Sequence, residues 1–428
     1  MHKGVLKIDE NMKEKAYLIA LSIENDNDDS LDELEQLAIA ANLIVVAKDI
    51  QNREKIEPKT YIGSGKAKEI RDLAKELEAD VIIFNDELSG SQMKNLEKII
   101  EKKIIDRTDL ILDIFAKRAQ SNEGKLQVKL AQLEYRLPRL IGYSDYLSRE
   151  GGGIGTRGPG EQKLETDRRH IKREIDNIKK KLKNIRLNRD IKRSRRSKSL
   201  IPLVSMIGYT NAGKSTLMNR LVKEGRSQTK AQLYADDMLF ATLDTSLRST
   251  NLPSGREIIL SDTVGFVSKL PTNLVEAFKG TLEEIEHSDL ILIVSDISQD
   301  NLSLQLQTTE KMLDELEIEN IPIIYVFNKI DKIDMEDLIF NFADKEPKVF
   351  ISAKEDINID RLLETIEHIL DLEKQKVVLH FPYNSLDELD YLLKIYKADS
   401  IEYKDDYVLV VGNLDKMGKI RYEKYMVI

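Results

Sequence analysis

Between Gly208 and Ser215 the chain reads G-Y-T-N-A-G-K-S, and no other stretch limits its fold as strongly. The spacing G-x-x-x-x-G-K-S follows the apolar, β-like run Leu203-Val204-Ser205-Met206-Ile207 and precedes the helix-like run Ser215 to Val222. Strand, glycine loop and helix in that order are the context this motif requires. Gly208 and Gly213 let backbone N–H groups turn inward around phosphates with no Cβ in the way. The helix N-terminus adds partial positive charge. Lys214 would reach the β and γ oxygens, Ser215 would offer its hydroxyl to Mg²⁺, and Tyr209, Thr210, Asn211, Ala212 and Thr216 complete the lining. A glycine turn before an ordinary helix is the bland alternative.

Three further blocks follow in a fixed order. D-T-V-G at Asp262, Thr263, Val264 and Gly265 ends the run Glu257 to Ser261. A carboxylate at Asp262 would hold Mg²⁺ through water, because the small ion gives up its hydration reluctantly. Gly265 would bring its N–H to the γ-phosphate, so this loop can sense whether that phosphate is present. In the polar stretch before it, Thr242 is the candidate switch threonine closing over Mg²⁺, with Thr245 competing for the role. N-K-I-D, with Asn328, Lys329 and Asp331, ends the run Ile321 to Phe327. The Asp331 carboxylate can accept from both N1–H and the exocyclic amine of guanine. Adenine lacks that donor pair, and a buried, unpaired carboxylate costs enough to discriminate strongly. S-A-K at Ser352, Ala353 and Lys354 would supply a backbone N–H to the guanine oxygen. Each block alone is a common peptide; in register together they favour GTP over ATP.

One departure bears on mechanism. Many proteins of this type place a water-orienting glutamine after D-T-V-G, whereas this chain has Phe266. Slow intrinsic hydrolysis that rises when a partner completes the site is therefore expected. Asn211 resembles the asparagine of potassium-stimulated GTPases, where K⁺ stands in for an arginine finger; a role in bracing the first switch is the alternative. Lys214, Thr242, Gly265 and Asn211 are the candidate catalytic set.

A length of 428 residues allows about three domains of ordinary size. The absence of cysteine excludes disulfides and thiol catalysis and fits a reducing cytoplasm, and five scattered histidines argue against a zinc site. No apolar run approaches membrane-spanning length. Net charge is −9, yet residues 161–200 hold 16 Lys and Arg against 6 Asp and Glu. Removing that net +10 leaves the remainder of the chain at −19. Such asymmetry marks one element as the part that meets a polyanion.

The N-terminal part alternates strand-like runs (Ala16 to Ile23, Leu43 to Ala47, Val81 to Phe84, Lys103 to Asp106) with helix-like ones (Leu31 to Ala41, Gly65 to Leu77, Ser89 to Ile100). This implies a small parallel sheet covered by helices. Its Y-I-G-S-G-K at Tyr61 to Lys66 lacks the phosphate-loop spacing; a glycine turn and a second phosphate site both remain open. Next, Leu126, Leu130, Leu133, Leu137 and Leu140 repeat in heptads, as do Ile171, Ile175, Ile178, Leu182 and Ile185. Two matched seams predict an antiparallel helical hairpin, with Pro138 kinking or ending its first arm. The connecting Gly151-Gly152-Gly153-Ile154-Gly155-Thr156-Arg157-Gly158-Pro159-Gly160 is too long and too specialised for a mere turn. Its glycines permit close approach to RNA backbone or bases, with Arg149 and Arg157 as charged contacts; a flexible linker is the alternative. The expected layout is an α/β domain over 1–110, the hairpin over 111–199, a P-loop domain with a mostly parallel sheet and helices on both faces over 200–372, and a small α/β domain over 373–428.

Y-I-G-S-G-K, the glycine–arginine block running on as E-Q-K-L-E-T-D-R-R to Arg169, and G-Y-T-N-A-G-K-S-T-L-M-N with L-F-A-T-L-D and D-T-V-G-F resemble the HflX family of ribosome-associated GTPases. The resemblance spans essentially the full length. It implies binding to the 50S large subunit near the peptidyl-transferase region, insertion of the helical tip into 23S rRNA, and ribosome-stimulated GTP hydrolysis. It also implies splitting of stalled or idle ribosomes under stress, and acceptance of ATP through the N-terminal domain. A cytoplasmic chain, monomeric off the ribosome and without membrane or DNA partners, is the expectation. A metabolic P-loop ATPase or kinase and a nucleotide-stabilised scaffold are the rivals, and N-K-I-D argues against the first.

Overall fold

A computed structural model describes residues 13–23, 30–147, 159–196, 201–224, 246–263, 265–268, 285–299, 301–318, 320–333, 345–372 and 374–427. The chain divides into two compact units. One comprises residues 1–183 with 238–244 and 267–279; the other comprises 184–237, 245–266 and 280–428.

The first unit opens with β1 (Lys15–Ile23), α1 (Ser30–Ala40), β2 (Ile44–Arg53), α2 (Ser64–Glu76), β3 (Val81–Phe84), α3 (Gly90–Ile100) and β4 (Lys103–Asp106). The strands stand in the order β2-β1-β3-β4, every pairing parallel. Central β1 is buried from Ala16 to Leu21, as a strand covered on both faces must be. Edge strand β2 runs past the expected end at Ala47 to Arg53, because its backbone continues in register with β1 although K-D-I-Q-N-R offers no apolar run. An edge strand tolerates such polar residues.

As β4 ends, Asp106 accepts from the Asp109 N–H at 2.9 Å and so caps α4 (Arg107–Arg118). Then come the hairpin arms, α5 (Asn122–Leu147) and α6 (Pro159–Arg196). Leu130, Ile175 and Ile178 are buried against each other, flanked by Leu126, Leu133, Leu137, Ile171 and Leu182, so the two heptad seams face one another. Pro138 does not end the first arm, which continues to Leu147. The Tyr135 carbonyl, in the turn that the proline disturbs, accepts from Arg139 Nη1 at 2.9 Å. Arg149, Gly151, Gly152, Gly153, Gly155, Arg157 and Gly158 lie outside the described residues, and Gly160 falls in the first turn of α6.

In the second unit β5 (Leu203–Ile207), α7 (Lys214–Glu224), β6 (Ser246–Asn251), β7 (Glu257–Asp262), β8 (Leu290–Asp296), α8 (Leu302–Glu315), β9 (Ile323–Asn328), β10 (Lys348–Phe350) and α9 (Ile359–Leu372) build a mixed α/β layer. Its sheet has the order β10-β9-β8-β5-β7-β6, with only β6 antiparallel to its neighbour. Val204, Met206, Leu260, Leu292 and Val294 are fully buried at its centre. The registers Met206↔Asp262, Ile207↔Ile293, Asp296↔Asn328 and Phe327↔Phe350 bring five carboxyl strand ends to one edge. Loops that leave such an edge are where α/β sheets bind ligands.

The chain ends with β11 (Gln375–Pro382), α10 (Leu386–Ile395), β12 (Ala398–Tyr403), β13 (Tyr407–Leu414) and α11 (Lys416–Tyr422), forming an antiparallel sheet of order β11-β13-β12. Strand β12, mostly exposed A-D-S-I-E-Y, carries no apolar run by which sequence could reveal it.

Candidate nucleotide-binding site

The phosphate loop follows β5, and its backbone is shaped for concavity. Gly208, Asn211 and Gly213 have φ of 143°, 62° and 92°, the last two in the left-handed region that asparagine and glycine tolerate best. Gly213 is required for a second reason. A Cβ there would come within 2.2 Å of Asn328 Nδ2, the residue that joins this loop to N-K-I-D. Asn328 donates to the Ala212 carbonyl at 2.8 Å and accepts from the Ala353 N–H at 3.0 Å. One buried amide thereby ties the phosphate loop, N-K-I-D and S-A-K together.

Lys214 opens α7 and is buried, its Nζ donating to the carbonyls of Gly208 and Tyr209 at 2.9 and 2.7 Å. Burial pushes this ammonium down to about 8, and the Asp262 carboxylate pulls it back up in part. Ser215 Oγ donates to Asp262 Oδ2 at 2.7 Å, which sets a hydroxyl beside a fully buried carboxylate. Thr216 is half-buried, and Thr263 is pinned by its hydroxyl to the Met206 carbonyl at 2.9 Å.

Gly265 packs directly on the phosphate loop. A Cβ at this position would meet Thr210 Cα at 2.8 Å and Lys214 Nζ at 3.0 Å. Phe266 is bracketed to the same loop: its N–H donates to Gly208 O at 3.1 Å, and the Thr210 N–H donates to its carbonyl at 2.7 Å. Its side chain is buried at 2% exposure, so the position that often carries a water-orienting glutamine holds a core residue here.

At the other end of the pocket, Lys329 has φ of 67° and pairs with Asp296 at 2.8 Å. Asp296, at the end of β8, was missed in the sequence, although it closes the conspicuous run L-I-L-I-V-S-D. Fully buried Ser352 donates to Asp331 Oδ1 at 2.6 Å and so aims the carboxylate. Asp331 itself is exposed rather than buried as expected. Lys354 is exposed, at 81% of its side chain, beside Glu355. Thr242, Thr245 and Val264 lie outside the described residues.

Phosphate loop, buried lysine, hydroxyl–carboxylate pair and N-K-I-D converge at one edge of a mostly parallel sheet, which places the chain in the P-loop GTPase class. Family models described as "GTP-binding GTPase N-terminal", "GTP-binding GTPase Middle Region" and "50S ribosome-binding GTPase" match residues 28–116, 118–196 and 203–329. GTPase HflX of Caldanaerobacter subterraneus subsp. tengcongensis is 46% identical over 97% of this chain and 94% of its own. GTPase HflX of Escherichia coli is 40% identical over 86% of each chain. The chain belongs to the HflX family. A crystal structure of a GTP-binding protein from the archaeon Sulfolobus solfataricus in complex with GDP is 25% identical, with a TM-score of 0.45, covering 83% of this chain and 98% of that one.

Proposed function

We propose that this protein hydrolyses GTP on the 50S ribosomal subunit, touches 23S rRNA through the connection between α5 and α6, and separates stalled ribosomes under stress. The observation that carries the reading is the single hydrogen-bonded cluster joining phosphate loop, N-K-I-D and S-A-K through Asn328. In this reading the loop from Gly208 to Ser215 cradles the phosphates and Lys214 neutralises them. Asp331 reads the guanine edge, and the Ala353 backbone lies alongside.

Ser215 and Asp262 suit Mg²⁺. They give two hard oxygen donors, and no group of three or more metal-type side chains exists among the described residues. That donor set fits an ion keeping water and phosphate oxygens, which would screen charge developing on the phosphates. Thr242 would join them from the first switch. Asn211 would hold K⁺. With Phe266 buried, no side chain at that position orients water, so turnover depends on the ribosome.

No helix among the described residues is long and apolar enough to cross a membrane. In this reading the protein is also cytoplasmic, monomeric off the ribosome, and without a membrane or DNA partner. Co-sedimentation with ribosomal subunits tests it, comparing the intact chain with one lacking residues 151–160. GTP affinity should survive the deletion while subunit binding and ribosome-stimulated turnover collapse. Equal subunit binding by both forms refutes the role of the connection, and absence of binding by the intact chain refutes the ribosomal reading.

A further inference from the structure

Arg107 is among the largest fully buried side chains of the protein, and the nucleotide pocket makes no use of it. Its Nη1 donates to Asn85 Oδ1 at 2.9 Å. Its Nη2 sits 2.5 Å from Glu33 Oε2, on α1. The same Nη2 reaches the carbonyl oxygen and hydroxyl of Ser268 at 3.1 and 2.9 Å. Ser268 responds with both of its donors, the N–H to Glu33 Oε1 at 3.2 Å and the hydroxyl to Glu33 Oε2. Carboxylate and guanidinium thus close on one serine and engage its N–H, its carbonyl and its hydroxyl. Residues 267–279 belong to the compact unit that holds Glu33 and Arg107, so the clamp lies within one body.

Ser268 lies three positions after Gly265, the residue that the GTPase reading assigns to sensing the γ-phosphate. Phe266, between them, is bracketed to the phosphate loop by two backbone hydrogen bonds. Covalently, the chain leaves that bracket and enters the clamp with only buried Val267 in between. Two anchors separated by one residue are linked by about 7 Å of extended chain, too little slack for one to move without pulling on the other.

The clamp has a second side. Asp106, immediately before Arg107 and fully buried, accepts from the Leu88 and Asp109 N–H groups, both at 2.9 Å. It also accepts from Tyr135 Oη at 2.6 Å and Arg139 Nη2 at 3.2 Å. Tyr135 and Arg139 belong to the first hairpin arm, and the Arg139 guanidinium stacks on the Tyr135 ring at 3.4 Å. Consecutive residues at the start of α4 therefore hold the post-sensor segment on one side and the hairpin on the other.

We propose that Glu33 and Arg107 are positioning residues that latch Ser268, so that displacement of the phosphate-sensing loop is transmitted through α4 to the hairpin arm α5. This rests on the GTPase reading of the pocket. The test uses the full chain, loaded with GDP or with a non-hydrolysable GTP analogue. Amide exchange is followed across α4 and across α5 up to Arg139, alongside steady-state hydrolysis.

In the unaltered protein the two nucleotides should give different protection in α4. Ser268→Ala should remove at least about two-thirds of that difference and shift kcat about threefold or more, with KM for GTP within about twofold. Glu33→Gln keeps the shape but loses the charge facing Arg107, and should do the same. Ser268→Thr keeps the hydroxyl and should retain the difference. An unaltered α4 response in both Ser268→Ala and Glu33→Gln overturns the latch, as does a native protein that binds and hydrolyses GTP with α4 unresponsive. A native protein that binds no GTP overturns the GTPase reading and the latch together.

Discussion

If Lys214 meets the phosphates as proposed, its burial should make nucleotide binding take up a proton near and above pH 8. The ammonium titrates at about 8 instead of 10.5 because it is taken out of water, with only partial relief from Asp262. The sign follows directly. In the folded protein the charged form is disfavoured, so the stability present above pH 10.5 is lost as pH falls through about 8. At neutral pH the buried charge costs roughly 3 kcal/mol. The phosphate oxygens of a bound nucleotide should relieve that cost and return Lys214 to its ordinary range. Binding at pH 6.5 should then take up almost no proton, at pH 8 about half a proton, and at pH 9 about 0.9. Over pH 7 to 9 the apparent Kd for GDP with Mg²⁺ should weaken about tenfold. Isothermal titration calorimetry in two buffers of different ionisation enthalpy counts the protons. Equal uptake at pH 6.5 and pH 8, or net release at pH 8, would show that Lys214 is already charged and compensated in the free protein.

Other changes test the pocket's construction. Asn328→Ala strips partners from the Ala212 carbonyl and the Ala353 N–H, both buried; it should cost about 3 kcal/mol in denaturant unfolding and weaken GDP binding in fluorescence titration. Phe266→Gln places an amide where a core ring is now buried. It should lose about 2–4 kcal/mol of stability and leave intrinsic GTP turnover within about threefold, because that side chain faces the core. Turnover should be faster in KCl than in matched NaCl if Asn211 holds a monovalent cation; equal rates remove the cation and leave the role of bracing the first switch.

The convergence of the motifs was readable in sequence because motifs of this class depend on local spacing. G-x-x-x-x-G-K-S, D-T-V-G and N-K-I-D each sit at the end of an apolar strand, and parallel register alone carries them to one edge. The hairpin was readable from its heptads, since Leu130, Ile175 and Ile178 meet as the spacing requires. What escaped depends on distant partners. Arg107 reads as an ordinary helix-start residue, and only folding brings it to Glu33 and to Ser268, 161 positions away. Sequence left open whether Pro138 kinks or ends its helix; α5 runs on to Leu147, with Asp106 and Leu88 holding Arg139 just beyond the proline. Strand β12 is held by its pairing with β13 and not by its own mostly exposed residues.

In the proposed reading Lys214 and Asp331 divide recognition between them, and their difference in exposure supports a division of labour. Lys214 is buried, so its desolvation is already met by the fold. In a low-dielectric setting its attraction for phosphate exceeds what a surface lysine could offer. Asp331 is exposed and accepts from Ser352, so in this reading it would keep its water until a base replaced it. A base that offers two donors breaks even on that exchange, whereas one that lacks them leaves the carboxylate dehydrated and unpaired. On that reading affinity should come mainly from the phosphates and selectivity mainly from the base. Chain-length changes in the phosphates should therefore move Kd more than base changes that preserve the guanine edge.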